Sequence, residues 1–169
     1  MIIGIGHASG VGKDALAEIL VRDHGFTRIA FADALRSVVY ESCPDVRNIV
    51  DRLGWDVAKT THPEVRQRLV DVGNACRRHI GPRCFTDAVA RQIEMDRDYV
   101  ISDVRYLNEL AWVSGIGITV KLTRPGVEPL PDEADQALAK VTYWDFVIHN
   151  DGSLDNLADK ARKLVSEAS

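Results

Sequence analysis

Between Gly4 and Leu20 the chain reads GIGHASGVGKDALAEIL. A β-prone run passes into a glycine-rich turn, and a lysine stands where a helical pattern starts. The backbone N–H groups of such a turn converge on one point and bind phosphate oxygens, and the helix N-terminus adds its positive dipole end. Ser9, Gly10, Val11, Gly12, Lys13 and Asp14 are therefore expected to hold a polyphosphate, with Lys13 reaching the β- and γ-phosphates. The strict pattern G-x-x-x-x-G-K-[ST] fails at both ends: His7 stands at the first glycine, beside Gly6, and Asp14 replaces the Ser/Thr. A carboxylate next to phosphates is repulsive unless a cation lies between them, so Asp14 predicts Mg²⁺ there, directly or through water. A plain glycine turn is the structural alternative.

Other charged groups follow apolar runs. Asp103 comes directly after YVIS; its carboxylate either meets the magnesium or caps the next helix. Arg105 either faces the same cleft or makes a surface ion pair. Asp33 ends RIAFAD and either orients an acceptor oxygen or caps a helix, and Arg36 lies one helical turn on. An Arg–Asp pair at a cleft mouth suits a phosphate-bearing substrate. Arg77 and Arg78 close a long helical pattern, where cations favour the helix C-terminus but can also offset transition-state charge. His24, His62, His79 and His149 have no ligand spacing. Cys43, Cys76 and Cys84 have no C-x-x-C spacing either, so they read as reduced thiols rather than a disulfide framework or zinc site.

The elements that must position these groups alternate. Strands are expected at Ile2–Ile5, Thr27–Phe31, Tyr99–Ser102, Ile118–Thr123 and Phe146–Ile148. Helices are expected at Asp14–Asp23, in ADALRSVVYESC on the spacing of Leu35, Val38 and Val39, from His62-Pro63 until Gly81-Pro82 ends it, over Phe85–Met95, over Leu107–Val113, and after a cap at Ser153 or Asp155. Gly115 and Gly117 are expected to break the helix before Ile118, Pro125, Pro129 and Pro131 mark a loop, and Pro44–Thr61 is mixed. Strand–helix alternation implies a parallel sheet covered on both faces, with ligands outside the carboxyl ends of the strands. With 169 residues, 46% hydrophobic and 27% charged, the chain is long enough for one domain with a real core. Its net charge of −4 argues against a broad nucleic-acid-binding surface. No apolar stretch approaches the roughly 18 residues of a membrane span, and no signal peptide is expected, so the expected location is the cytoplasm.

Taken in order, GHASGVGKDALAEIL, FADALRSVVYE, RLVDVGNACRRHIG, VISDVRYLNELAWV, LTRPGVE and WDFVIHNDGSLDNL resemble the bacteriophage deoxynucleoside monophosphate kinases over nearly the whole chain. The G-K-D ending of the turn and the D-V-R-x-x-N-E string are the most specific pieces. The resemblance implies an α/β P-loop NTPase fold, a three-layer α/β/α sandwich of nucleoside-monophosphate-kinase type in a single domain. It carries a lid-like segment over about 125–141 and a helical acceptor-binding region over about 33–85. It implies transfer of the γ-phosphoryl group of ATP, with Mg²⁺ at Asp14 and Asp103, to a deoxynucleoside monophosphate. Asp33, Arg36, Arg77, Arg78 and Arg105 would meet the acceptor or the transferring phosphates, and Arg124, Asn150 and Gly152 would lie near the donor base. The catalytic set implied is Lys13, Asp33, Arg77 and Arg105. The lid-like segment holds no arginine and Lys140 is its one basic group, which leaves charge compensation to Arg77, Arg78 and Arg105. Neither a stable nucleic-acid partner nor a membrane is implied; a homodimer is allowed by similarity alone. The same fold also serves dephospho-coenzyme A kinases, kinases of hydroxymethyl pyrimidines in DNA, and nucleotide-binding modules without transfer.

Overall fold

The computed structural model describes residues 1–131 and 133–168. The chain forms two compact units: Met1–Ala30 with the chain from Gln92 onward, and Phe31–Arg91.

The first unit is built on five parallel strands, β1 (Ile2–Gly6), β2 (Thr27–Ile29), β3 (Tyr99–Val104), β4 (Ile118–Thr123) and β5 (Phe146–His149), in the order β2-β3-β1-β4-β5. Ile3 and Ile5 of β1 face α1 (Lys13–His24) and, with Val100, Val120, Leu122 and Ile148, bury its Leu16, Ile19 and Leu20. Full burial of each such leucine is worth about 2 kcal/mol. The last helix (Leu154–Ala168) adds Leu157, Ala161 and Leu164 to the same face. Gly4 points the other way, where the helix Leu107–Ile116 packs, with a Val113 methyl 2.6 Å from where a side chain would begin. Helices thus cover both faces, giving the three-layer α/β/α arrangement that strand–helix alternation implied.

The second unit is helical: α2 (Phe31–Ser42), α3 (Pro44–Thr61), α4 (Pro63–His79) and α5 (Cys84–Ala90). Val39, Val46, Val50, Ala58 and Val65 form its core. The mixed stretch Pro44–Thr61 is α3, bent at Gly54, whose φ of 72° and ψ of 162° leave the helical region. Pro44 and Pro63 each occupy a first turn, where their missing N–H costs nothing.

Numbered in chain order, the helices after β3 are α6 (Leu107–Ile116), α7 (Glu133–Ala139) and α8 (Leu154–Ala168). Four expected boundaries move. The second strand stops at Ile29 and α2 begins at Phe31, because Phe31, Leu35 and Val39 repeat every four residues and form one helix face. Asp33 therefore lies in the first turn of α2 rather than after a strand. The helix expected to Met95 ends at Ala90, beyond which the Tyr99 hydroxyl donates to the Gln92 carbonyl and accepts from the Glu94 amide. The helix α6 runs through Gly115 and stops at Gly117. The proline-marked loop contains α7. At α8 the Ser153 hydroxyl accepts the Asn156 amide, so Ser153 takes the cap.

Candidate functional site

The turn between β1 and α1 sits at the carboxyl edge of the central strand. Gly10 and Gly12 take φ of 80° and 99°, and His7 takes a φ of 96° although it carries a side chain. His7 thus adopts the conformation of the glycine it replaces, at a strain of about 1–2 kcal/mol. Gly12 has a second constraint: a side chain there would begin 2.5 Å from Asn150 Nδ2. That amide instead donates to the Val11 carbonyl at 2.9 Å. Gly6 admits the Trp144 ring, whose edge lies 2.6 Å from the position a Cβ would take.

Lys13 is buried, only 7% exposed, at the head of α1. Its ammonium donates to the carbonyls of Ala8 at 2.6 Å and His7 at 3.0 Å. Burial, and next the positive Arg105, bring its pKa down to about 8, while the carboxylates of Asp135, Asp14 and Asp103 pull the other way. The five groups therefore share one electrostatic neighbourhood. Burial likewise lowers the His7 pKa, helped by Lys121 and Lys13.

Asp103 lies inside β3, one residue before its end. Between Gly4 and Gly6 of β1 the facing strand advances three residues, from Ile101 to Val104. The pairing of β1 with β3 is thus irregular beside Ser102 and Asp103. The cap of α6 is Tyr106, so capping does not account for Asp103. Arg105 is half-buried in the turn that follows. The turn is pinned by Glu109, only 2% exposed, whose Oε2 accepts the Arg105 amide at 2.9 Å and the Tyr106 amide at 3.1 Å. Glu109 is the last letter of the D-V-R-x-x-N-E string, and this is its role.

Asp14 is exposed in the first turn of α1. Arg124 is exposed just past β4, where its carbonyl accepts the Val127 amide at 3.2 Å. Gly152 lies in the exposed turn before α8. Asn150 braces the turn after β1 through Val11, a contact that spacing alone did not reveal.

A further group escaped the sequence reading. Asp135 on α7 is 2% exposed, and its Oδ2 accepts the Ser9 amide at 2.8 Å and the Leu130 amide at 3.1 Å. Its surroundings in PDEADQ are acidic and unpatterned.

In the helical unit, Arg36 and Asp33 form an ion pair at 3.2 Å. With Ser37, Tyr40, Glu41 and Trp55 they line an open cavity of about 430 Å³. Arg77 of the same unit has its guanidinium stacked 4.8 Å above the Phe85 ring. Arg78 is exposed at the end of α4.

No protein-family model matches the sequence, and no curated protein matches it. Solved structures do. The chain is similar to dephospho-CoA kinase from Campylobacter jejuni, at 12% identity and a TM-score of 0.58, covering 98% of this chain and 96% of that one. It is similar to shikimate kinase from Aquifex aeolicus, at 12% identity and a TM-score of 0.54, covering 99% and 97%. The fold is that of the P-loop kinases. Among the described residues no helix is long and apolar enough to cross a membrane.

Proposed function

We propose that the protein is an ATP-dependent kinase of deoxynucleoside monophosphates, forming the diphosphate and ADP. The observation that carries the kinase reading is a buried lysine on a glycine turn, inside the P-loop kinase fold, surrounded by Arg105, Asp14 and Asp103. The monophosphate acceptor rests on the order of motifs that resemble the phage enzymes, and on the Asp33–Arg36 pair with Tyr40 and Trp55 around a cavity of nucleotide scale. An arginine recognises phosphate, and aromatic rings offer faces for a base.

The chemistry asks little of the protein beyond placement and charge. The acceptor is already an anion, so no strong base is needed; two anions must be aligned, screened and shielded from water. The amides of Ser9 to Asp14 and the Lys13 ammonium hold the donor phosphates. Arg105, fixed by Glu109, offsets charge that develops on the transferring group. Asp33 and Arg36 orient the acceptor, and Arg77 and Arg78 supply further positive charge. Among the described residues no three His, Cys, Asp or Glu gather as a ready metal cage. That suits Mg²⁺, which keeps waters and binds through one or two carboxylates plus phosphate oxygens. Asp14 and Asp103 are the carboxylates that fit, and the ion would neutralise phosphate charge. Arg124 and Gly152 stand nearest the base of ATP in this reading. The cytoplasm is the proposed location, and a homodimer the proposed assembly.

An acceptor screen tests the proposal. The protein is incubated with ATP, Mg²⁺ and each deoxynucleoside monophosphate in turn, with dephospho-coenzyme A and shikimate alongside. Diphosphate formed from at least one monophosphate supports the reading. Transfer only to another acceptor keeps the kinase and rejects the monophosphate. ATP binding with no transfer at all points to a nucleotide-binding module.

A further inference from the structure

We propose that Asp135 is a built-in competitor for the phosphate turn: its carboxylate holds the Ser9 amide that a phosphate oxygen of ATP must take, so nucleotide binding displaces it and frees the segment around α7. The inference rests on the reading of the turn after β1 as a polyphosphate cradle. One oxygen of Asp135 accepts two backbone amides, Ser9 at 2.8 Å in that turn and Leu130 at 3.1 Å ahead of α7. The side chain is 2% exposed, so this is an enclosed contact and not a surface encounter. A carboxylate and a phosphate oxygen have the same charge sign and the same appetite for N–H donors. One amide cannot serve both at full strength. Repulsion adds to the competition, because ATP would bring its charge beside a carboxylate that has left water. The Lys13 ammonium also feels Asp135. The segment that contains Asp135 thus contributes an acid to the turn.

A protein whose binding-competent form is only a fraction of the population shows an affinity reduced by that fraction. Removing the competitor should therefore tighten ATP binding. Titration calorimetry with ATP and Mg²⁺ on the full chain compares wild type with Asp135→Asn, which keeps the shape and loses the charge, and with Asp135→Ala. Tightening of about tenfold in both is expected. Gln136→Ala removes the Gln136–Leu130 hydrogen bond on the same segment without touching the turn, and should leave affinity within about twofold. Unchanged or weaker binding in both Asp135 variants overturns the inference.

Amide hydrogen exchange on the wild type gives an independent readout that needs no variant to fold. On ATP addition the Leu130 amide should exchange faster, having lost Asp135, while the Ser9 amide stays protected by phosphate. Slower or unchanged exchange at Leu130 with ATP bound overturns the inference and leaves the cradle standing. If neither ATP nor inorganic tripolyphosphate binds wild type or the Asp135 variants, the cradle falls and takes the competitor with it.

Discussion

The side chain of Asn150, at the end of β5, donates to the backbone carbonyl of Val11 in the turn after β1, across 2.9 Å. The two residues are 139 positions apart. A carbonyl so tied holds the peptide on its far side in one orientation, and in the proposed kinase the amides that would face a phosphate depend on that orientation.

Asn150→Ala should therefore weaken ATP binding without touching ATP. Losing one net hydrogen bond of about 1 kcal/mol raises the KM for ATP about fivefold and lowers the Tm by about 2–4 °C. Gly12→Ala should be worse, since it meets Asn150 Nδ2 at 2.5 Å and also forces a side chain onto a φ of 99°. Adding Asn150→Ala to Gly12→Ala removes the clash and leaves the strained φ, so the double variant recovers only in part. A thermodynamic cycle from ATP titrations measures this, and full additivity would count against the clash.

Lys13 makes the site pH-sensitive. Its pKa in the folded protein is about 8, against 10.5 for an ordinary lysine. The unfolded chain holds this proton more tightly, so Lys13 costs the fold stability while charged below about pH 8. That cost is relieved as pH rises from 8 towards 10.5, by up to ~3 kcal/mol. Polyphosphate favours the ammonium and should raise the pKa again. ATP binding near pH 8.5 is then expected to take up a proton, of which calorimetry in buffers of different ionisation enthalpy gives the number; binding should weaken above about pH 8. Lys13→Met keeps the apolar stem, loses transfer and abolishes the proton uptake. Proton uptake that survives in that variant would assign the titration to another group.

Glu109 is predicted to set both stability and rate. Glu109→Ala orphans the amides of Arg105 and Tyr106 and opens a hole, a loss of about 2–3 kcal/mol by denaturant titration. Glu109→Gln retains an acceptor oxygen and should recover most of that stability. With Arg105 loosened, kcat should fall more than the KM values rise. A Glu109→Ala protein with full kcat would remove Arg105 from the transition state.

The acceptor is expected to fail separately from the donor. Asp33→Ala and Arg36→Ala break the ion pair at the cavity and should raise the acceptor KM about tenfold, with the ATP KM within about twofold. Trp55 lines that cavity, so monophosphate binding should change its fluorescence and Trp55→Phe should remove the change. Equal losses for both substrates in Asp33→Ala would displace Asp33 from the acceptor.

Local chemistry wrote much of this into the sequence. The turn at Gly10, Gly12 and Lys13 was legible because positive φ and a cation at a helix start demand those residue types in that order. The alternation of short apolar runs with helical periods fixed the α/β class, since each period of 2 or 3.6 must bury its own face. The tertiary structure alone decided the contacts whose partners lie far apart in the chain. No pattern near Val11 announces Asn150, none near Ser9 announces Asp135, and the register shift beside Asp103 is a property of two paired strands. Such pairings depend on which backbone donors and acceptors the packed elements leave over. A chain read one window at a time does not carry that information, because it exists only once the elements have met.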